Sequence, residues 1–211
     1  MFKTIFSTKS NVVSEFKSKK WLRVFYHNSK SESDCFESES EALHCNSENK
    51  FSILDEIDDS MKIRNKFEFI IEYPNEAIYY HWRQSKNPLE EVEEEGKFGV
   101  DGFEPIHNGT SDTSWGGLTK TKLEAENVIS TLLDGNPGTI WWRFSIGKYC
   151  VNKGWEFKDS LPGPLRKEYK QIRLWIRINE LFSCRKRPKV FIDSLPMITL
   201  TVPVIKILTV T

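Results

Sequence analysis

The segment 171–178 constrains the fold more than any other part of the chain, because apolar and polar residues alternate along it. Every second residue from Ile172 to Ile178 is aliphatic, and the residues between them are polar except for Trp175. Successive side chains of a β-strand point to opposite faces, so this pattern predicts a strand whose aliphatic face lies in a core. Trp175 then lies on the opposite face, which that core does not explain.

Four more segments predict strands, because they are rich in aromatic and β-branched residues and are bounded by turn residues. They are residues 21–26, 66–73, 78–83 and 140–146. The last of these follows a turn predicted at Asp134 to Gly138.

One short amphipathic helix is expected from Ser52 onward. The apolar residues Ile53, Leu54, Ile57 and Met61 recur there at spacings of three and four. Ser52 with Asp55 also resembles the capping pair at a helix start. The polar stretch 28–41 before it is predicted to be a loop.

Together these elements predict a mainly β protein, an antiparallel β-sandwich with one short helix. Residues 1–20 are rich in Ser, Thr and Lys and have no hydrophobic period, so we expect a flexible lead-in. The sandwich domain is assigned to residues 21–179. Residues 180–211 carry a basic cluster and an apolar tail, which either completes the sheet as one or two strands or forms an exposed edge that pairs with another chain.

The charge balance excludes some classes of partner. The chain of 211 residues holds 30 Lys and Arg and 30 Asp and Glu, a formal net charge of zero, so we expect no nucleic-acid partner. No apolar run reaches the length of about eighteen residues that a membrane-spanning helix needs. The N-terminal segment lacks the continuous apolar stretch of a signal peptide. These observations leave the localisation open, including a place in a surface or particle-associated protein.

The four cysteines do not have the spacing of a metal site. Cys35 and Cys45 flank a short loop and could form a disulfide in an oxidising compartment. In a reducing compartment, each would instead be an ordinary buried small residue.

The order of motifs in the second half of the chain resembles a known family. Leu133-Asp134-Gly135 is followed by Trp141-Trp142, then by Phe144-Ser145-Ile146-Gly147, and later by a strand ending in Leu174-Trp175-Ile176-Arg177. This order resembles the discoidin-type (coagulation factor 5/8 C-terminal) and related galactose-binding-like jelly rolls over residues 100–179. The resemblance implies an eight-stranded jelly roll whose loops at one end bind glycans, lipid head groups or protein partners. The part through Tyr73 has no counterpart in the family, and its terminal cysteine pair is missing.

The candidate ligand-binding residues are side chains that a core does not explain. Trp141 and Trp142 are adjacent on a predicted strand, so at most one of them points fully inward. Trp115 lies in a loop whose glycines permit a ligand to approach the backbone. The candidate set is Trp82, Trp115, Trp142, Trp175, Asp112 and Asp134. The alternative for each Trp is packing between sheets or under loops.

With no nucleophile pattern, phosphate loop or metal cluster, the sequence favours a recognition module over an enzyme. We expect it to bind carbohydrate, or another surface ligand, by stacking sugar rings on tryptophan. One alternative is a structural or assembly domain that contacts protein partners, or further copies of itself, through exposed Trp residues and the apolar C-terminal strand. A second alternative is a glycan-active hydrolase with carboxylates from the run Glu90 to Glu95.

The sequence assigns no cofactor and identifies no metal site. Calcium is the one ion considered, because Asp101, Asp112 and Asp134 fall in predicted loops and could supply oxygen ligands. Asp is also the ordinary residue of turns, so a purely structural role is the alternative.

Overall fold

The protein is mainly antiparallel β, which confirms the fold class predicted from the sequence. The structure is a computed structural model that describes residues 3–7, 12–31, 34–90, 99–111, 114–120, 131–135, 144–150 and 161–179. The strands in these ranges form a nine-stranded, a three-stranded and a two-stranded sheet. No helix in these ranges combines the length and the apolar character needed to cross a bilayer.

The described secondary structure consists of strands, one short α-helix and several 3-10 turns. In chain order the strands are β1 (Lys3–Ser7), β2 (Val12–Phe16), β3 (Lys19–Asn28), β4 (His44–Asn46), β5 (Lys50–Ile53), β6 (Phe67–Tyr73), β7 (Ile78–Gln84), β8 (Glu104–His107), β9 (Thr119–Lys120), β10 (Thr131–Asp134), β11 (Ile146–Lys148), β12 (Leu161–Pro162), β13 (Glu168–Tyr169) and β14 (Gln171–Ile178). The helix α1 (Glu39–Leu43) is capped by the side chain of Ser38, which accepts a hydrogen bond from the backbone N–H of Glu41.

The strand β14 lies at the centre of the nine-stranded sheet, although it comes last along the described chain. The sheet order is β1-β2-β3-β14-β6-β7-β8, and neighbouring strands run antiparallel. β2 pairs with the first part of β3, whereas β5 pairs with the second part and carries β4 at its other edge. The alternation of β14 reflects its two different faces, because the aliphatic side chains join the buried cluster on one face and the charged ones lie on the other.

The small sheet, in the order β11-β10-β9, covers one face of the nine-stranded sheet. One buried cluster joins Leu133 and Ile146 of the small sheet to Phe69, Trp82 and Leu174 of the large one. Burial of these apolar side chains holds the two layers together. We call this side of the large sheet the inner face and the opposite side the outer face.

Most of the predicted strands are present. Residues 21–26 belong to β3, residues 66–73 to β6, residues 78–83 to β7 and residues 171–178 to β14. Of the predicted strand 140–146, residues 140–143 lie outside the described ranges, and β11 begins at Ile146.

The helix predicted from Ser52 is wrong. Ser52 and Ile53 lie inside β5, and the chain then forms two 3-10 turns, Leu54–Glu56 and Asp59–Met61. Ile53, Leu54, Ile57 and Met61 are nevertheless all buried, so the spacing identified the core residues but not the backbone shape. The single α-helix lies instead in the stretch 28–41 and just beyond it, where a loop was predicted.

Two strands, β1 and β2, lie within residues 1–20, where a flexible lead-in was predicted. β1 and β2 form an antiparallel hairpin, and β2 continues the sheet from β3. Val12 and Phe16 of β2 pack against the outer face, which supplies the burial that orders this segment. The tail 180–211 lies outside the described residues, so its two alternatives remain predictions.

Candidate functional site

The tryptophans proposed for ligand stacking are buried where the structure describes them. Trp82 is 0% exposed, and Trp115 and Trp175 are each 3% exposed. The expectation that these rings present a flat surface to solvent is therefore wrong. Trp142 lies outside the described residues, and its role stays a prediction.

Trp82 and Trp115 belong to an aromatic cluster between the two sheets. Trp115 lies 4.6 Å from Trp82 and 4.6 Å from Phe144, measured between ring centroids, and 5.4 Å from Tyr80. Edge-to-face pairs of this kind stabilise a core. The indole N–H of Trp82 donates to Gln84 Oε1 at 2.8 Å, so its polar atom is also satisfied inside the protein.

Trp175 lies on the outer face, as the alternation along β14 predicts, and other side chains cover it. It forms a small cluster with Trp21 and Ile70, against which the β2 side chains pack. Its indole N–H donates to Glu72 Oε2 at 3.2 Å. The Trp175 ring therefore forms part of the packing of the outer face and is not a surface for a ligand.

The acidic members of the predicted site do not form a metal centre in the described part of the chain. Asp134 is 3% exposed, and Asp112 lies outside the described ranges. Asp101 lies 3.7 Å from Lys86 in an ion pair. Among the described residues, no group of three or more His, Cys, Asp or Glu side chains could hold a metal ion. Of the acidic run Glu90 to Glu95, only Glu90 is described, so the hydrolase alternative stays a prediction.

The structure does not pair Cys35 with Cys45, which was one of the two alternatives left open for these cysteines. Cys35 is bonded to Cys150, with a distance of 5.2 Å between the α-carbons, and Cys45 is free. The pairing agrees with the isolated bridge between Phe36 and Tyr149, which brings the two backbone segments together. Burial, and next the charge of Glu41, raises the pKa of the Cys45 thiol to about 11.

The outer face of the large sheet carries the densest group of charged side chains that the described strands bring together. Its cationic members are Lys19, Arg23, Lys66, Arg83, Arg173 and Arg177, and its acidic members are Glu68, Glu72 and Glu104. We call these nine residues the cationic face. Six positive charges against three negative ones contrast with the zero net charge of the whole chain.

Glu68 of β6 lies at the centre of the cationic face, and its side chain is 1% exposed. Its Oε1 accepts hydrogen bonds from His81 Nε2 at 2.9 Å and Lys19 Nζ at 3.1 Å, and its Oε2 accepts from Arg177 Nη1 at 2.7 Å and Arg83 Nε at 3.1 Å. Burial alone would raise the pKa of Glu68, but the hydrogen bonds from His81, Arg177 and Lys19 hold it well below its ordinary value. Both carboxylate oxygens are therefore satisfied within the protein.

Glu104 and Glu72 extend this network toward two other parts of the face. Arg83 Nη1 donates to Glu104 Oε1 at 3.2 Å, and Lys66 Nζ donates to Glu104 Oε2 at 3.2 Å. Glu72 Oε2 lies 3.6 Å from Arg173 Nη1. These ion pairs are half-exposed, so the cationic groups keep contact with solvent.

The guanidinium groups of Arg23 and Arg173 both lie near the ring of Tyr26. The guanidinium carbon of Arg23 is 5.3 Å from the centre of the Tyr26 ring and 5.1 Å from that of Phe51, and the guanidinium carbon of Arg173 is 6.0 Å from the Tyr26 ring. Such cation–π contacts hold the charged groups over the aromatic surface. Burial, and next the charge of Arg173, lowers the pKa of Arg23.

A stacked aromatic pair lies beside the charged network. The rings of Tyr79 and His107 are 4.2 Å apart between centroids at an interplanar angle of 22°, and His107 is exposed. Tyr79 also contacts the ring of Phe16 edge-on at 5.6 Å. This pair gives the outer face a partly exposed flat surface at the β8 edge of the sheet.

The sequence reasoning placed Arg173 and Arg177 on the polar face of β14 but did not use them. The available signal was the recurrence of charged residues at alternate positions of the predicted strands, including Glu68, Glu72 and Arg83. What could not be read from the pattern was which strands are neighbours, and the site depends on β14 lying between β3 and β6.

No protein-family model, curated sequence or solved structure matches this chain. The resemblance to discoidin-type jelly rolls therefore stays a prediction.

Proposed function

We propose that this protein is a recognition module that binds an acidic glycan through its cationic face. The observation that carries the proposal is the charge of that face, with six cationic side chains against three acidic ones in a chain of zero net charge. A surface of one sign raises the local concentration of ligands of the opposite sign.

The exposure of the cationic groups supports a ligand at this face. The side chains of Lys19, Lys66, Arg83, Arg173 and Arg177 are between 25% and 33% exposed. Each is therefore anchored by the protein while part of its polar surface still meets solvent. Side chains held in this way lose little conformational freedom when a ligand binds.

The disulfide favours a glycan over a nucleic acid as the acidic ligand. Disulfides such as Cys35–Cys150 form and persist in oxidising compartments and are rare in cytosolic and nuclear proteins. The stacked rings of Tyr79 and His107 add a flat surface next to the charges. Sugar rings can lay their apolar C–H faces on such a surface, as the sequence reasoning expected of the tryptophans.

The test compares acidic with neutral glycans on the purified, oxidised protein. We expect binding to sulfated or uronic-acid oligosaccharides, measured by calorimetry, and no binding to neutral oligosaccharides of equal length. Raising the salt concentration should weaken the binding, because part of the attraction is screened. Equal binding of neutral and acidic glycans would contradict the proposal. Stronger binding of a single-stranded nucleic acid of equal charge would mean that the ligand of the cationic face is a nucleic acid and not a glycan.

A pair of double variants locates the binding surface. Lys19→Gln with Lys66→Gln removes two charges from the cationic face, and we expect the dissociation constant to rise about tenfold. The matched control, Lys30→Gln with Lys62→Gln, removes two charges elsewhere and should bind as the unaltered protein does. Equal losses of affinity in both double variants would show that the glycan is attracted by the overall charge and not bound at the cationic face.

A further inference from the structure

We propose that Arg23 and Arg173, together with the neighbouring Tyr26, form the seat for one oxyanion group, a sulfate or carboxylate, of an acidic glycan. This inference rests on the proposed function and names the part of the cationic face that recognises the ligand. Binding of the oxyanion uses hydrogen bonds and charge attraction and involves no chemical step.

The sheet register places the three side chains together. Arg173 lies directly opposite Tyr26 in the β3–β14 ladder, and Arg23 lies opposite Trp175. The register shifts between these two pairs, so that Arg23 and Tyr26 share the outer face although they are three positions apart. The irregularity thus brings a second arginine beside the tyrosine ring.

The described residues balance the charge at this position only in part. Within the described part of the chain, Arg23 has no hydrogen bond and no ion pair, and its buried Nε atom has no partner. The Nε atom of Arg173 is also buried without a partner. The other contacts of Arg173 are long, 3.6 Å from Nη1 to Glu72 Oε2 and 3.4 Å from Nη2 to Gln171 Oε1. Buried polar groups normally have partners, so two such donors on neighbouring arginines favour binding of an acceptor from a ligand.

An anion fits these two guanidinium groups better than a neutral acceptor does. The positive charges of Arg173 and Arg23 repel each other, so the charged form of each guanidinium is less stable beside the other. An oxyanion near both would remove this repulsion, and the fork of N–H groups on a guanidinium matches the spacing of two oxygens of a carboxylate or sulfate.

Tyr26 supplies a further donor to the same seat. Its hydroxyl accepts a hydrogen bond from Gln171 Nε2 at 3.0 Å, which leaves the phenolic O–H available to donate. The ring also fixes the two guanidinium groups by cation–π contact, so the seat is formed before the ligand arrives.

Glu68 marks the difference between this seat and the rest of the face. Lys19, Arg83 and Arg177, together with the ring of His81, already share a carboxylate that the protein provides. At Arg23 the corresponding position has no carboxylate among the described residues. The cationic groups around Glu68 therefore have a carboxylate partner, whereas Arg23 has none among the described residues.

The test measures inorganic sulfate and a sulfated oligosaccharide separately. We would follow the Arg23 and Arg173 Nε–H resonances by NMR while titrating sulfate at constant ionic strength. Both resonances should shift with one common dissociation constant, and that constant should rise about tenfold in Arg23→Gln and in Arg173→Gln. Arg23→Lys keeps the charge but loses the fork, so it should lose less affinity than Arg23→Gln. The matched control Lys62→Gln, outside the cationic face, should bind sulfate as the unaltered protein does.

The outcomes separate this inference from the proposed function. If sulfate titrates both arginines but no acidic glycan binds, the seat is correct and the proposed function is wrong. If the glycan binds equally well to Arg23→Gln, Arg173→Gln and the unaltered protein, the seat is wrong while the function stands. Equal losses in Lys62→Gln and the two arginine variants would also overturn the seat. Thermal melting of each variant shows that it is folded, and the two independent arginine positions keep the test valid if one of them unfolds.

Discussion

Gly135 lies so close to Trp115 that a β-carbon at position 135 would stand 2.1 Å from the indole Cζ3 atom. The same β-carbon would also stand 2.6 Å from the Cβ atom of Phe144. The glycine that follows Asp134 is therefore required by the packing of the aromatic cluster between the sheets.

Replacing Trp115 by alanine should destabilise the protein rather than remove a binding site. The change leaves a cavity beside Trp82 and Phe144, and we expect a loss of about 3 to 5 kcal/mol in the free energy of unfolding. Chemical denaturation followed by tryptophan fluorescence measures this loss. A Trp115→Ala protein of unchanged stability that no longer binds glycan would contradict this account and restore the ligand-stacking role.

The positions of the strands could be predicted from the sequence because each has a local signal. Alternation identified β14 and its aliphatic face, and turn residues bounded β6 and β7. The burial of Trp175 could not be predicted, because parity places a side chain on a face but does not say what covers it. Here the cover comes in part from Val12 and Phe16, in a segment whose polar composition suggested a flexible lead-in.

The candidate site was missed for a related reason. Glu68, Arg177 and Lys19 are far apart in sequence, and their contact depends on the sheet order rather than on any local pattern. The disulfide illustrates the same limit, since Cys45 is near Cys35 in sequence but Cys150 is near it in space.

Removing the disulfide should lower stability substantially. Cys35 and Cys150 are separated by 115 residues, so the bond restricts a long loop in the unfolded chain. We expect Cys35→Ser with Cys150→Ser to lose about 3 to 4 kcal/mol in the free energy of unfolding. Cys45→Ser is the matched control and should lose less than about 1.5 kcal/mol. If a reductant lowers the stability of the unaltered protein no more than that of the double variant, the bond does not contribute.

His27 should make stability depend on pH between about 6.5 and 4. Burial, opposed by a hydrogen bond to the Asp34 carbonyl, lowers the pKa of His27 from 6.5 to about 4, and Lys148 and Lys50 lower it further. The unfolded chain therefore takes up a proton in this range while the folded protein does not. Stability should fall by about 3 kcal/mol as the pH falls through this window.

The variant His27→Gln tests the assignment, because an amide can still donate to the Asp34 carbonyl but does not titrate. Its unfolding free energy should change little between pH 6.5 and 4, whereas His44→Gln, at an exposed position, should keep the slope of the unaltered protein. A resonance of the His27 ring that titrates near pH 6.5 in the folded protein would rule out the explanation.

Glu68 should account for a second loss of stability at lower pH. Its pKa in the folded protein lies well below the ordinary value of 4.5, so its contribution is fully present above pH 4.5. That contribution is lost as the pH falls below 4.5 toward the pKa of the folded protein, because the unfolded chain is protonated first. Denaturation curves recorded from pH 7 to pH 3 should resolve this loss below the window of His27.

Replacing Glu68 by glutamine should remove that loss and lower stability at neutral pH. The variant leaves Lys19, Arg83 and Arg177 facing one another without the carboxylate that separates them. We expect a cost of about 3 kcal/mol at pH 7, at the lower end of the range for broken buried pairs because the cations are partly exposed. Glu104→Gln, on the same face but 46% exposed, should cost less than about 1 kcal/mol. Equal costs for the two variants would mean that burial does not distinguish Glu68, and that the centre of the cationic face is an ordinary surface ion pair.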